Sequence, residues 1–229
     1  MKTKNDIFHD KTHLYQEYEL KKEVEIPELQ CILREIIHVP SQAVIIHIEN
    51  DDPENLFCLS FQTIPQTSNG VAHILEHTVL CGSEKYPVKD PFFSMGRRSL
   101  NTFMNALTGA DFTCYPAATQ IPKDFYNLLS VYIDAVFHPN LNVLSFKQEG
   151  HRLEFAQPTN PTTPLEYKGI VYNEMKGALT SPHSRLHDAI HEALYPNITY
   201  GINSGGDPKE IPNLTLEELK AFHEQFYHP

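Results

Sequence analysis

The sequence has no tryptophan and few cysteines. The four thiols of the 229-residue chain, Cys31, Cys58, Cys81 and Cys114, are widely separated along it. This spacing excludes the C-x-x-C pattern of zinc knuckles and dithiol redox centres. We therefore interpret the cysteines as free thiols, as is usual for intracellular chains.

Long apolar runs and an excess of positive charge are missing as well. The apolar stretch at residues 43–48 contains His47 and stops far short of the roughly 20 residues that a membrane-spanning helix needs. Lys and Arg number 18 against 29 Asp and Glu, which gives a formal net charge of -11. Because nucleic acids are bound by clustered cations, we expect neither a nucleic acid nor a membrane as a partner. The negative charge is compatible with cationic peptides.

The remaining composition is typical of a folded intracellular protein. Hydrophobic residues make up 41% and charged residues 21% of the chain, which excludes disorder as the main state. Residues 1–10 have neither the apolar core of a secretory signal nor the Arg-rich character of a transit peptide. We therefore expect an intracellular, cytoplasmic location.

The periodicity of the sequence predicts an α+β fold, with helices packed on a mostly antiparallel sheet. Strand-like alternation occupies residues 23–26, 31–33, 43–48 and 56–63. Helical spacing follows at residues 71–80, 123–137, 142–155, 165–179, 185–195 and from 215 onward. Thr215 and Glu218 predict a capping box at the last of these helices. Residues 111–116 are predicted to form an edge strand, because Pro116 lacks a backbone donor.

One pentapeptide, residues 73–77, has the order H-x-x-E-H. On a helix that advances about 100° per residue, His73, Glu76 and His77 share one face. Two imidazoles one turn apart can bind the same zinc ion, and a carboxylate beside them can act on water at the metal without ligating it. The alternative is a helix with two surface or capping histidines. Catalytic zinc usually has three protein ligands, so a further ligand must come from elsewhere.

Glu174 is the best candidate for the third ligand, because it interrupts an apolar run in a predicted helix. The apolar neighbours expected to be buried are Leu165, Ile170, Val171 and Met175. A carboxylate close to a core needs a partner to remain charged. The alternatives are an ion pair with Lys176 or Arg152, or a position at the surface.

Five segments, residues 73–77, 80–87, 99–108, 123–129 and 172–178, carry a wider pattern. Together they resemble the insulinase/pitrilysin group of inverted-zincin metallopeptidases, and most of all its presequence-protease branch. The segments follow the family's order and extend over nearly the whole chain from about residue 15. This agreement is far more specific than the pentapeptide alone.

The resemblance implies a zinc centre. His73, His77 and Glu174 match the family's zinc ligands, with one ion per chain, and Glu76 matches its general base. The implied activity is that of a zinc-dependent endopeptidase, which hydrolyses extended, unstructured peptides with a water that Glu76 activates at the zinc.

The resemblance also implies a substrate-binding segment. Asn105, Ala106 and Leu107 match the place where such enzymes hold the substrate backbone as an added strand, a mode that makes few demands on sequence. For Asn105 the alternative is a turn or helix-end residue. One departure is that Tyr167 stands where some relatives have a further carboxylate, seven residues before the third ligand. Glu166 is one step away, and we assign it no role.

The family pattern further implies that residues 1–229 are one N-terminal catalytic domain of a longer chain. Relatives contain several such units in two halves, and the distal half adds arginine and tyrosine groups to the active site. We therefore expect the remaining domains as partners, and weak or no activity from the 229 residues alone. Residues 1–15 are expected to be flexible or extended. An organelle is the alternative location.

Two interpretations from other classes remain open. A non-catalytic peptide-binding or structural subunit of the same fold would be expected to lose part of the metal motif, whereas residues 73–77 and Glu174 are intact. A zinc site that only stabilises the fold would need a fourth protein ligand. The candidates for that ligand are His151 and Cys81.

Overall fold

A computed structural model describes residues 16–228, so the predicted flexible segment at residues 1–15 lies outside the described residues. The chain divides into two compact units, whose described parts are residues 16–53 and 54–228. Among residues 16–228, no helix is both long and apolar enough to cross a membrane. The mixture of helices and antiparallel sheets confirms the predicted α+β class.

The first unit is a three-stranded antiparallel sheet in the order β1, β2, β3. Its strands are Tyr18–Ile26, Cys31–His38 and Ala43–Glu49. Arg34 lies in the middle strand and pairs with a glutamate of each neighbour, Glu23 at 2.6 Å and Glu49 at 2.7 Å. These cross-strand pairs satisfy a buried guanidinium and help to fix the register. The three predicted strands are confirmed, and each is longer than its sequence pattern.

The second unit contains a second antiparallel sheet, a hairpin, seven α-helices and two short 3-10 helices among its described residues. The sheet consists of β4 (Asn55–Phe61), β5 (Asn101–Met104), β6 (Leu107–Thr108) and β7 (Thr113–Thr119). The hairpin consists of β8 (Arg152–Phe155) and β9 (Leu165–Lys168). The α-helices are α1 (Val71–Val79), α2 (Pro91–Arg98), α3 (Pro122–Phe137), α4 (Val143–Glu149), α5 (Ile170–Ala178), α6 (Pro182–Leu194) and α7 (Leu216–Phe226).

The core of this unit lies between one face of the sheet and the helices. Alternation along β4 turns Phe57, Leu59 and Phe61 toward the helices. Residues from α1, α3 and α7 complete the core, and the fully buried ones include Ile74, Leu75, Leu128, Val136 and Leu219. The predicted capping box holds the start of α7, because the Thr215 side chain accepts from the backbone of Glu218 and the Glu218 side chain accepts from that of Thr215.

Two long predicted helices are wrong in part. The helix predicted at residues 142–155 ends at Glu149, and residues 152–155 form β8. The helix predicted at 165–179 begins only at Ile170, because residues 165–168 form β9. Backbone hydrogen bonding between the two segments supplies an alternative that helical periodicity does not reveal. Gly150 and Gly169 let the chain pass closely at the base of this hairpin.

The prediction of an edge strand at residues 111–116 is also wrong. The corresponding strand, β7, lies in the centre of the sheet, between β4 and the pair β5 and β6. The carbonyl of Pro116 accepts a hydrogen bond from the Asn105 backbone at 3.1 Å, so Pro116 faces the interruption between β5 and β6. A missing donor is tolerated at this break, which is why a proline can occupy a central strand.

Burial around α5 differs from the prediction too. Val171 is fully buried as expected, but Leu165 and Ile170 are exposed by 57% and 44%. The helix therefore contacts the core through a narrow stripe rather than a broad face. Glu174 lies on its open side, and its side chain is 54% exposed.

Candidate metal centre

Helix α1 carries the H-x-x-E-H pentapeptide. It starts after Gly70, which has a left-handed φ of 73°, and the close approach of Gly205 and Gly206 leaves little room for a side chain there. The helix buries its apolar face in the core, while His73 and His77 stay partly exposed with ring centroids 5.0 Å apart. The two imidazoles therefore face the same space, as helical geometry requires.

Helix α5 brings Glu174 to this space. Its Oε2 lies 3.7 Å from Nε2 of His73 and 3.9 Å from Nε2 of His77. Within residues 16–228, this is the one group of three or more possible ligands whose donor atoms all lie within 4.8 Å of one another. Ligand atoms about 2.1 Å from a tetrahedral zinc ion are roughly 3.4 Å apart. The donor set and its spacing fit zinc.

The other ring nitrogens of the two histidines are held by hydrogen bonds. Nδ1 of His73 lies 3.0 Å from the carbonyl oxygen of Gly205, and Nδ1 of His77 lies 3.1 Å from Oε2 of Glu149. Both rings consequently present Nε2 to Glu174. Such hydrogen bonds orient histidine ligands in metalloproteins.

Sequence reasoning missed Glu149. It ends α4 and stands 72 positions from His77, so no local spacing could indicate the contact. Burial opposes a charged imidazole, but the hydrogen bond to Glu149 and nearby carboxylates outweigh it and raise the pKa of His77 above its ordinary value. Burial would raise the pKa of Glu149, yet hydrogen bonds from His77 and Gln148 lower it below the usual range.

Glu76, the predicted general base, is buried beside the two histidines. The hydroxyl of Thr108 donates a hydrogen bond to its Oε2 at 2.5 Å, which fixes the carboxylate. A cavity of about 230 Å³ opens next to it, and its lining includes Glu76, His77, Phe92, Asn105 and Ala106. A carboxylate therefore meets a partly apolar space at the edge of the histidine pair.

The predicted substrate-binding residues lie at the outer edge of the sheet. Asn105 and Ala106 separate β5 from β6, and both line the cavity beside Glu76. Leu107 begins β6, pairs with Cys114 and is 46% exposed, but it is not part of that cavity's lining. Two of the three residues are thus next to the candidate metal centre.

The two candidates for a fourth zinc ligand, His151 and Cys81, and the alternative ion-pair partner Arg152 have other contacts. Nε2 of His151 donates to the carbonyl of Leu214 at 2.9 Å. The Cys81 thiol lies near Glu149 Oε1 at 3.7 Å. Neither belongs to the group of possible ligands found among the described residues. Arg152 pairs with Glu154 at 2.6 Å rather than with Glu174.

Comparisons with known proteins identify the family of this chain. A family model described as Insulinase (Peptidase family M16) matches residues 64–157, which include α1 and α4. A presequence protease, mitochondrial, from Mus musculus is 53% identical over 204 residues, or 89% of this chain and 20% of that protein. The corresponding protein of Schizosaccharomyces pombe is 46% identical over 220 residues, or 96% of this chain and 22% of that protein. The chain belongs to the insulinase family. Within that family it lies on the presequence-protease branch.

Solved structures support the same fold for this insulinase-family chain. A crystal structure of pitrilysin matches with a TM-score of 0.65 and 21% identity, over 92% of this chain and 21% of that one. A protease from Helicobacter pylori matches with a TM-score of 0.63 and 18% identity, over 92% of this chain and 43% of that one. The chain spans about a fifth of the length of the curated relatives.

Proposed function

We propose that the chain is the zinc-binding catalytic domain of an endopeptidase that cleaves extended, unstructured peptides. The observation that carries the proposal is the convergence of His73, His77 and Glu174 within 4.8 Å. Glu76 lies next to that group, buried and held by Thr108. Membership of a peptidase family supports the same conclusion.

In this proposal His73, His77 and Glu174 hold one zinc ion. When bound, zinc supplies Lewis-acid chemistry that polarises a peptide carbonyl and makes water more acidic. Glu76 accepts the proton of the attacking water and returns it to the leaving amine. Its carboxylate is available for this role because it is not one of the three ligands. Thr108 keeps the carboxylate oriented during both transfers.

The substrate would lie along the outer edge of the sheet, at Asn105, Ala106 and Leu107. An extended peptide can add to such an edge through backbone hydrogen bonds, which give affinity with little demand on sequence. What supports this placement is that Asn105 and Ala106 line the cavity that also contains Glu76 and His77. A side chain next to the scissile bond could enter that partly apolar space.

The distal domains implied by the family resemblance would be partners of this chain, and the 229 residues alone would bind zinc but cleave peptides weakly or not at all. Relatives about five times as long support such an arrangement. Relatives named as mitochondrial, or as chloroplastic/mitochondrial in Arabidopsis thaliana, support an organelle as the location. The cytoplasmic location stays a prediction.

Two measurements test the function. Elemental analysis of the purified chain should give one zinc per chain for wild type and for Glu76→Gln, and clearly less for Glu174→Gln. Glu192→Gln, an exposed carboxylate on α6, serves as the matched control. In the full-length enzyme, Glu76→Gln should lose peptide cleavage while keeping its zinc. Retained turnover by that variant, or zinc content unaffected by Glu174→Gln, would contradict the proposal.

A further inference from the structure

The buried carboxylate of Glu149 has three donors around it. Its Oε2 is 3.1 Å from Nδ1 of His77, while its Oε1 accepts from Nε2 of Gln148 at 2.8 Å and lies 3.7 Å from the Cys81 thiol. The residue is only 5% exposed. Because both oxygens are engaged, the carboxylate has little freedom to rotate. A buried carboxylate without such partners would be costly.

This contact selects one form of the His77 ring. An ionised carboxylate only accepts hydrogen bonds, so the proton of a neutral His77 ring must be on Nδ1. The lone pair is then on Nε2, the nitrogen that lies 3.9 Å from Glu174. A ring with the opposite tautomer would lose its bond to Glu149 and point a proton at the ligand group.

The partner of the other histidine is different in kind. His73 is oriented by a backbone carbonyl, that of Gly205, which no side-chain substitution removes. His77 depends on a side chain from another helix. Of the two hydrogen bonds that orient the rings, only the one to Glu149 can therefore be removed by changing a single side chain.

We propose that Glu149 is a positioning residue, which holds His77 in the Nδ1-protonated tautomer and presents Nε2 for metal binding before any metal arrives. This inference rests on the proposed zinc site for its consequence, but the tautomer itself is a property of the metal-free chain. Removing such an outer hydrogen bond typically weakens metal affinity by about 10–100-fold.

The test uses two variants of Glu149. Glu149→Met keeps the length of the side chain but removes the strong acceptor. Glu149→Gln removes the charge but keeps a carbonyl oxygen that can accept from Nδ1. Glu217→Met, an exposed glutamate on α7, is the control. Imidazole ¹⁵N chemical shifts of the zinc-free chain, measured above the pH at which the rings titrate, report which nitrogen of His77 carries the proton.

We expect wild type and Glu149→Gln to show His77 protonated at Nδ1, and Glu149→Met to show a mixture of tautomers. Zinc affinity, measured by competition with a chelator, should fall by about 10–100-fold in Glu149→Met and by less in Glu149→Gln. An unchanged tautomer in Glu149→Met would overturn the proposal, as would an equal loss of zinc affinity in Glu217→Met. If the wild-type chain binds no zinc, the proposed function fails, while the ¹⁵N spectra still decide the role of Glu149.

Discussion

Replacing Gly169 by alanine should separate Glu174 from the two histidines. Gly169 directly precedes α5, and a Cβ atom there would lie 1.9 Å from the carbonyl oxygen of Gly150. Because that neighbour is backbone, it cannot rotate away. Ordinary van der Waals contact begins near 3.4 Å, so the two segments must move apart by about 1.5 Å. Glu174 is only five residues further along and moves with the helix.

The expected effect on zinc is large, because metal–ligand distances tolerate only about 0.2 Å. We expect Gly169→Ala to weaken zinc binding by more than about tenfold, a loss comparable to that from disturbed outer contacts. Overpacking of this kind typically costs about 1–3 kcal/mol. For a chain of this length, the midpoint of thermal unfolding should then fall by about 2–4 °C per kcal/mol.

Chelator competition measures the affinity, and circular dichroism checks that the helices remain. Gly177→Ala is the matched control, because Gly177 lies in α5 itself and a Cβ atom there would meet nothing within 4 Å. That variant should keep zinc affinity and gain about 0.5–1 kcal/mol of stability, since alanine favours the helix. Gly169→Ala with zinc affinity within twofold of wild type and an unchanged unfolding midpoint would refute the reasoning.

Two further predictions concern α7. Thr215→Ala should lower the free energy of unfolding by about 1 kcal/mol, because it removes the capping box. The thermal unfolding midpoint should then fall by about 2–4 °C, whereas Thr215→Ser should stay near wild type. Equal midpoints for wild type and both variants would contradict the role of the cap. Burial lowers the pKa of His223 in the folded chain, although its Nε2 donates a hydrogen bond to the carbonyl of Val136. The unfolded chain therefore binds this proton at a higher pH than the folded chain does. The free energy of unfolding should consequently fall as the pH drops below about 6.5. Thermal midpoints measured across that pH range should fall less steeply in His223→Gln, and an identical slope would rule out this contribution.

Local features of the fold could be predicted from the sequence. The alternation of Phe57, Leu59 and Phe61 predicted a strand, and the Thr215 and Glu218 pair predicted the start of the last helix; both are confirmed. Interactions within one element depend on fixed backbone periods, which sequence spacing records directly. Elements whose formation depends on pairing with another segment were harder to predict from the sequence. The β8 and β9 hairpin has helical spacing in its sequence, and Pro116 suggested an edge although the neighbouring strand is interrupted there.

The candidate metal centre shows the same distinction between features predicted from local spacing and features set by tertiary packing. The spacing of His73, Glu76 and His77 on α1 determined that they share a helix face, because an α-helix turns by about 100° per residue. Only the tertiary structure decided that Glu149 orients His77 from 72 positions away, and that Gly205 orients His73 from 132 positions away. It also decided that Glu174 approaches from the open side of α5 rather than from a buried face. Such contacts arise from the packing of separate elements, and no periodicity within one segment encodes them.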